Sequence, residues 1–462
     1  MQSTKEIKSK SLGNNPILDG NIYGQLIKLF YPIFLGTLFQ QLYNTIDALI
    51  VGQFVGKEAL AAVGGPASTV INLLIGFFVG MASGAGVIIA QYYGAGNAEK
   101  TQKAIQMSMG ISVVASVILT VVGILTARPF LVSMGTPEDI LEMSVSYMII
   151  YYSGTIFNLI YNMGSAILRS MGDSKRPLYF LIVSSVVNIV LDIVFVVYGK
   201  MGVNGVAYAT VISQIASAVL IIISLYLLPP ALKLSFRAMT FEKKMLKKIF
   251  CIGVPAGIQS ILYSLSNVII QSSVNSFGTD TVAAWTTYSK IDAFFWSMVS
   301  SFGMAITTFA GQNYGAGRLD RLKQSVRKGT IIVGSITIVM SIFLHFFGKP
   351  LFRLFVADEN VIAIGMNIIA CFVPFYWTYI MIEILSGVLR AVGDTLIPTI
   401  MTVFGVCVLR VVWIYFAVPK FGTIESVCFS YPLTWSITSL LFYIYYRTKH
   451  WNRLDTGKDM EE

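Results

Sequence analysis

The residues most able to do chemistry in this chain are acids set in apolar sequence. Asp47, in "NTIDALIVGQ" (44–53), is the only charge between Lys28 and Lys57. Asp192 stands between "NIVL" and "IVFVV". A carboxylate taken out of water is costly unless it is paired or neutralised. It can stay neutral by holding a proton or stay charged by holding a cation, and either state is a coupling chemistry. Asn188 sits at i−4 from Asp192, on the same helical face, where an amide can donate to the carboxylate or coordinate an ion. Two plainer readings stand beside this one. Asp47 can mark the end of its helix at an outer interface, and Asp192 can lie on a surface.

Four further charges fall in apolar segments: Lys290, Asp292, Glu383 and Arg410. They are two cations and two anions, so structural ion pairing competes with a polar site. Lys290 and Asp292 are two residues apart and do not face each other on a helix. Glu383 with Arg410 is a candidate pair. Intramembrane charges usually face a bundle interior and mark ion or substrate paths.

The elements that must hold these residues are membrane spans. Of 462 residues, 55% are hydrophobic and 12% charged, and mean hydropathy is +0.72; soluble domains carry about 25% charged residues. Twelve apolar segments are predicted, at 24–51, 62–90, 104–126, 140–166, 177–198, 204–228, 246–275, 282–310, 326–347, 360–387, 397–418 and 424–446. Their length and lack of alternation indicate helices rather than barrel strands. The first is too long for a secretory signal. Counting along each span at 1.5 Å per residue puts Asp47 and Asp192 roughly 28 and 22 Å from the cytoplasmic side, able to converge on one pocket. Thr210 and Tyr147 fall at similar depth.

Lys and Arg divide 25 to 6 between alternate sets of loops, with two inside spans. That bias predicts both termini and the even-numbered loops in the cytoplasm. The net charge of +10 is therefore topological, and nucleic acid is not expected as a partner. Cys251, Cys371, Cys407 and Cys428 lack the paired spacing of zinc or redox sites. No phosphate-binding Gly-rich loop with Lys and Ser/Thr appears, so ATP-driven pumping has no support. The domain reading is a cytoplasmic segment 1–23, an N-lobe 24–228, a basic linker 229–245, a C-lobe 246–446 and a cytoplasmic tail 447–462.

The two lobes read as a duplication. "AQYYGAGNAEK" (90–100) returns as "GQNYGAGRLDR" (311–321), and "ILRSMGDSKRP" (167–177) as "VLRAVGDTLIP" (388–398), both 221 residues on. "FVGKEALAAV" (54–63) matches "SFGTDTVAAW" (276–285) at 222, and Pro32 matches Pro255 at 223. The offset spans six helices, so the halves share an orientation and a pseudo-two-fold axis along the membrane normal. Gly94 or Gly96 is expected to end a helix in the left-handed conformation. "LRxxGD" reads as topogenic anchoring with a tight turn, or as a gate.

Twelve spans in two halves, "NTIDALIVG", "AQYYGAGN" and "NIVLDIVF" together resemble the multidrug and toxic compound extrusion (MATE) transporters, over about residues 20–447. The resemblance implies an all-α membrane protein that exports amphiphilic, often cationic compounds by alternating access, driven by H⁺ or Na⁺. It implies no enzyme activity, no cofactor beyond that ion, a multi-pass cell-membrane location and a monomer. Asp47 resembles the family's first-helix acid, and Asp192 with Asn188 resembles the cation site of the DinF-like branch. Thr210, Tyr147 and Asn162 carry over as pocket residues. The chain departs from the NorM-like branch, because 259–273 holds amides and hydroxyls but no Glu. An alternative is a flippase for a lipid-linked sugar, which Lys290 and Arg410 keep open and which the acidic first lobe opposes.

Overall fold

Each predicted apolar segment is a span of helix. The computed structural model describes residues 15–235 and 242–449. The spans are α1 (Ile22–Phe54), α2 (Lys57–Gly94), α3 (Ala98–Ser133), α5 (Lys175–Tyr198) and α6 (Gly202–Tyr226), followed by α7 (Lys243–Asn275) and α8 (Thr279–Gly315). The last are α9 (Leu319–Arg353), α10 (Glu359–Ala391), α11 (Leu396–Phe421) and α12 (Ile424–Thr448). Between α3 and α5, Glu138–Ser153 and Thr155–Ser170 form one span, α4, bent by 51°. Most helices overrun the predicted boundaries, because backbone hydrogen bonding continues past the apolar window into polar ends. On α3 the lipid-type face shows as a stripe of exposed Val114, Val117, Ile118, Val121 and Leu125 at helical spacing.

The duplication is written in the backbone. Gly56 and Gly278, Gly96 and Gly317, Gly172 and Gly393 all have positive φ, at the offsets of 222, 221 and 221 found in sequence. At the end of α2, Asn97 N donates to Tyr92 O; at the end of α8, Arg318 N donates to Asn313 O. These six-to-one bonds around a left-handed glycine close the helix. Gly96 takes that conformation, whereas Gly94 remains helical. The "LRxxGD" turns match likewise, with Asp173 N on Leu168 O and Asp394 N on Leu389 O, both at 3.0 Å.

Two compact units result, with edges that differ from the helix count. One holds Tyr31–Gly257; the other joins Pro16–Phe30 to the chain from Ile258 on. The start of α7 therefore belongs with the first unit. There Gly80 and Gly84 of α2 meet Gly257 and Gly253, and a Cβ on either α2 glycine would fall 2.5 Å from the facing backbone nitrogen. Small residues four apart on both helices permit this approach. In the second unit, a one-turn helix (Pro16–Asp19) is held by Arg318, which pairs with Asp19 at 2.9 Å, and by Arg321, which donates to Gly20 O at 2.7 Å. Residues 1–14, 236–241 and 450–462, parts of the predicted terminal segments and linker, lie outside the described residues.

Candidate functional site

Helix α1 continues seven residues beyond Asp47, to Phe54, so the acid lies within the helix and does not end it. The same helix carries Tyr43 one turn earlier, and Ile50 and Val51 bury one turn later. Asp192 is the last α-helical residue of α5, before a wider π-helical turn, Ile193–Tyr198. Such turns re-aim side chains and recur at functional positions. Asp192 is fully buried, which removes the surface reading.

Across the space between α1 and α5 the two carboxyl groups approach to within hydrogen-bonding range of each other. Yet neither oxygen of Asp192, nor Oδ1 of Asp47, has a hydrogen-bond partner among the described residues. The two facts agree: ionised carboxylates only accept, so two of them bond only when a proton lies between. No Lys or Arg forms an ion pair with either acid among the described residues. Asn188, 1% exposed, leaves both its amide nitrogen and its oxygen unpartnered. Two carboxyls and an amide are an oxygen donor set suited to a proton or a hard monovalent cation. Among the described residues no group of three or more His, Cys, Asp and Glu gathers in a metal-binding cluster.

Tyrosines flank the pair. Tyr147 of α4 lies within electrostatic reach of both acids, and Tyr43 of Asp47. Tyr151 stacks obliquely on Tyr147 at 6.1 Å and accepts from Gln214 Nε2 of α6 at 3.4 Å. Tyr43, Tyr151 and Gln214 were not among the residues expected from sequence. Tyr43 carries a usable signal, its i−4 spacing from Asp47, whereas the other two acquire their place only through packing. Thr210 is buried, but its hydroxyl is engaged with Val206 O of its own helix at 2.9 Å. Asn162 likewise bonds Asn158 O and Oδ1 one turn away, both at 2.9 Å.

The second unit holds a cavity of about 520 Å³ between α7, α8, α10, α11 and α12. Asp292, Glu383 and Arg410 all line it; Lys290 does not and is exposed. Arg410 and Glu383 form no ion pair among the described residues, contrary to the candidate pairing. Instead Asp292 accepts from Trp296 Nε1 at 2.6 Å and from Tyr376 OH at 2.5 Å. Arg410 lies 3.7 Å from the Tyr431 ring centroid and donates to Thr434 Oγ1 at 3.3 Å.

The MatE family profile matches twice, over residues 32–194 and 255–416. Probable multidrug resistance protein YoeA of Bacillus subtilis is 31% identical over 444 residues, covering 92% of this chain and 94% of that protein. YpnP of the same organism, also named a probable multidrug resistance protein, is 28% identical over 94% of this chain and 97% of its own. A solved MOP superfamily transporter from Pyrococcus furiosus shares the fold, with a TM-score of 0.88 at 23% identity over 94% of this chain and 97% of that one. With the profile matched in both halves and the likeness to YoeA running nearly end to end, this chain belongs to the MatE family of membrane transporters.

Proposed function

We propose that the protein is a secondary antiporter that exports amphiphilic, often cationic compounds in exchange for H⁺ or Na⁺ taken up at Asp47, Asp192 and Asn188. One observation carries the reading: two carboxyls face each other, Asp192 buried and Asp47 half-buried, with no basic partner and no donor between them among the described residues. Like charges in contact at low dielectric cannot both stand uncompensated. An entering proton or Na⁺ relieves that repulsion, and its departure restores it. Because α1 and α5 carry one acid each, occupancy changes how well they pack, and so biases one conformation over another. The names of YoeA and YpnP support multidrug efflux. The Lys and Arg distribution supports cytoplasmic termini, and the multi-span fold a cell-membrane location with alternating access. The protein is expected to act as a monomer.

The lipid-linked sugar alternative needs a cationic cleft for pyrophosphate. The acidic site offers no basic group, and the C-terminal cavity supplies a single guanidinium. Efflux is therefore the better reading.

The test is ethidium export from liposomes holding the purified chain, driven separately by a pH gradient and by a Na⁺ gradient. Wild type should export under at least one gradient, and Asp47→Asn and Asp192→Asn should each lose that export. Full gradient-driven export by both variants would overturn the proposal.

A further inference from the structure

The C-terminal cavity has a chemistry of its own. Its wall is aromatic: Trp285, Trp296, Tyr379, Tyr431 and Trp435 all line it. The rings meet edge to face around Trp435, at 5.9 Å from Trp296, 5.6 Å from Tyr431 and 5.7 Å from Tyr379. That arrangement fixes the rings as a rigid aromatic wall. A volume of about 520 Å³ lies in the range of small-molecule sites, roughly 300–1,000 Å³.

The polar groups in this wall divide by commitment. Asp292 has an O–H or N–H donor on each oxygen. Glu383 lies within hydrogen-bonding reach of Tyr379. Two N–H groups in the wall lack an acceptor, although Arg410 also donates to Thr434 Oγ1. Arg410 is 3% exposed, its Nε has no acceptor, and no carboxylate pairs with it among the described residues. Trp435 is fully buried and its Nε1 has no acceptor either. A buried guanidinium without an anion is an expensive feature that a ligand anion relieves, with a planar fork suited to carboxylate or phosphate. Immediately before Arg410, α11 widens into a π-helical turn, Val403–Val408, which sets the side chain's direction independently of the upstream helix.

We propose that this cavity binds planar aromatic acids, with the ring among Trp285, Tyr431 and Trp435 and the carboxylate or phosphate on Arg410. The site goes beyond cation-driven efflux of cationic compounds: it adds a ligand class of opposite charge, held in the other lobe. Selectivity follows from the wall. A neutral aromatic gains the stacking but leaves Arg410 unpaired, and an aromatic ammonium meets the guanidinium as a like charge.

Direct binding to the full purified chain in detergent tests this without any ion gradient, so the result is independent of whether export is coupled through Asp47 and Asp192. Three naphthalene probes share one ring: 1-naphthoate, 1-naphthyl phosphate and 1-naphthylmethanol. Isothermal titration, corrected for partition into empty micelles, should show one or both acids binding at least tenfold more tightly than the alcohol. The stronger acid identifies carboxylate or phosphate as the recognised group. Arg410→Gln should remove that preference while leaving alcohol binding within about twofold. Arg410→Lys, which keeps the charge and loses the fork, should retain part of it, and serves if the Gln variant does not fold. Equal binding of acid and alcohol, or an acid preference that survives Arg410→Gln, would each overturn the proposal.

Discussion

The charged groups at the candidate sites of the two lobes lack opposite kinds of partner. In the first, Asp47 and Asp192 present oxygens without donors, beside the free amide of Asn188. In the second, Arg410 and Trp435 present N–H groups without acceptors. A site short of donors takes a proton or a cation, and a site short of acceptors takes an anion. Yet the lobes share a helix count, turn geometry and glycine placement. The difference therefore rests on few side chains. Ile269 or Ile270 stands where the repeat puts Asp47, and Ile270 lines the C-terminal cavity. Trp413 stands 221 residues on from Asp192, with its Nε1 engaged by Ser426 O at 2.9 Å. Duplication supplied the scaffold twice, and the chemistry then diverged within it.

Matched carboxamides put the largest strain on that comparison. Asp192→Asn removes one of two opposed acids that have no partner, so folding should hold or improve. Ion binding should fall sharply, because losing one member of a buried charged contact is worth about 2–5 kcal/mol. Gradient-driven export is expected to drop on the order of 30-fold or more, with the melting midpoint unchanged or raised. Asp292→Asn should show the reverse. Its carboxylate accepts from both Trp296 and Tyr376, and an amide can accept at only one end. Bonds to a charged acceptor are worth about 1.5–3 kcal/mol, so stability should fall by that order while gradient-driven export persists. Thermal melts and liposome export on the two variants give a two-by-two outcome. Loss of export with both, or loss of stability with both, would erase the distinction between a coupling acid and a structural one.

How far the sequence foretold this depends on the kind of signal. Apolar length announced all twelve spans, and the phrase repeats announced the two halves, because both are local properties of the chain. Asp47 and Asp192 stood out because an acid in hydrocarbon is conspicuous without any knowledge of packing. Depth made their convergence possible, but only packing brings α1 and α5 together there. What stayed hidden was engagement. Composition placed Asp292, Glu383 and Arg410 among possible ion pairs, but the partners that hold Asp292 are Trp296 and Tyr376, the latter 84 residues away. Thr210 and Asn162 matched a pattern, and the structure shows the Thr210 hydroxyl and the Asn162 amide nitrogen donating within their own helices. Nor did the sequence show that Pro16–Phe30 belongs with the second unit, because the contacts of Arg318 and Arg321 with that segment span about 300 residues.

The smallest expected effect tests the shared scaffold instead of the divergent sites. Gly56 caps α2 with φ 120° and ψ 177°; Gly278 caps α8 with φ 91° and ψ 172°. Both lie in the region of positive φ and extended ψ that is open almost solely to glycine. A Cβ built on either would meet nothing within 4 Å, so packing contributes no penalty at either place. Backbone strain is then the whole effect of Gly56→Ala and of Gly278→Ala, about 1–3 kcal/mol each. Because the two turns are copies of one element, the losses should agree to within about 0.5 kcal/mol and should add in the double variant, as separated sites do. Thermal or denaturant melts of the two single variants and the double measure this directly. A large inequality would mean that the lobes have diverged in their backbones as well as in their buried side chains.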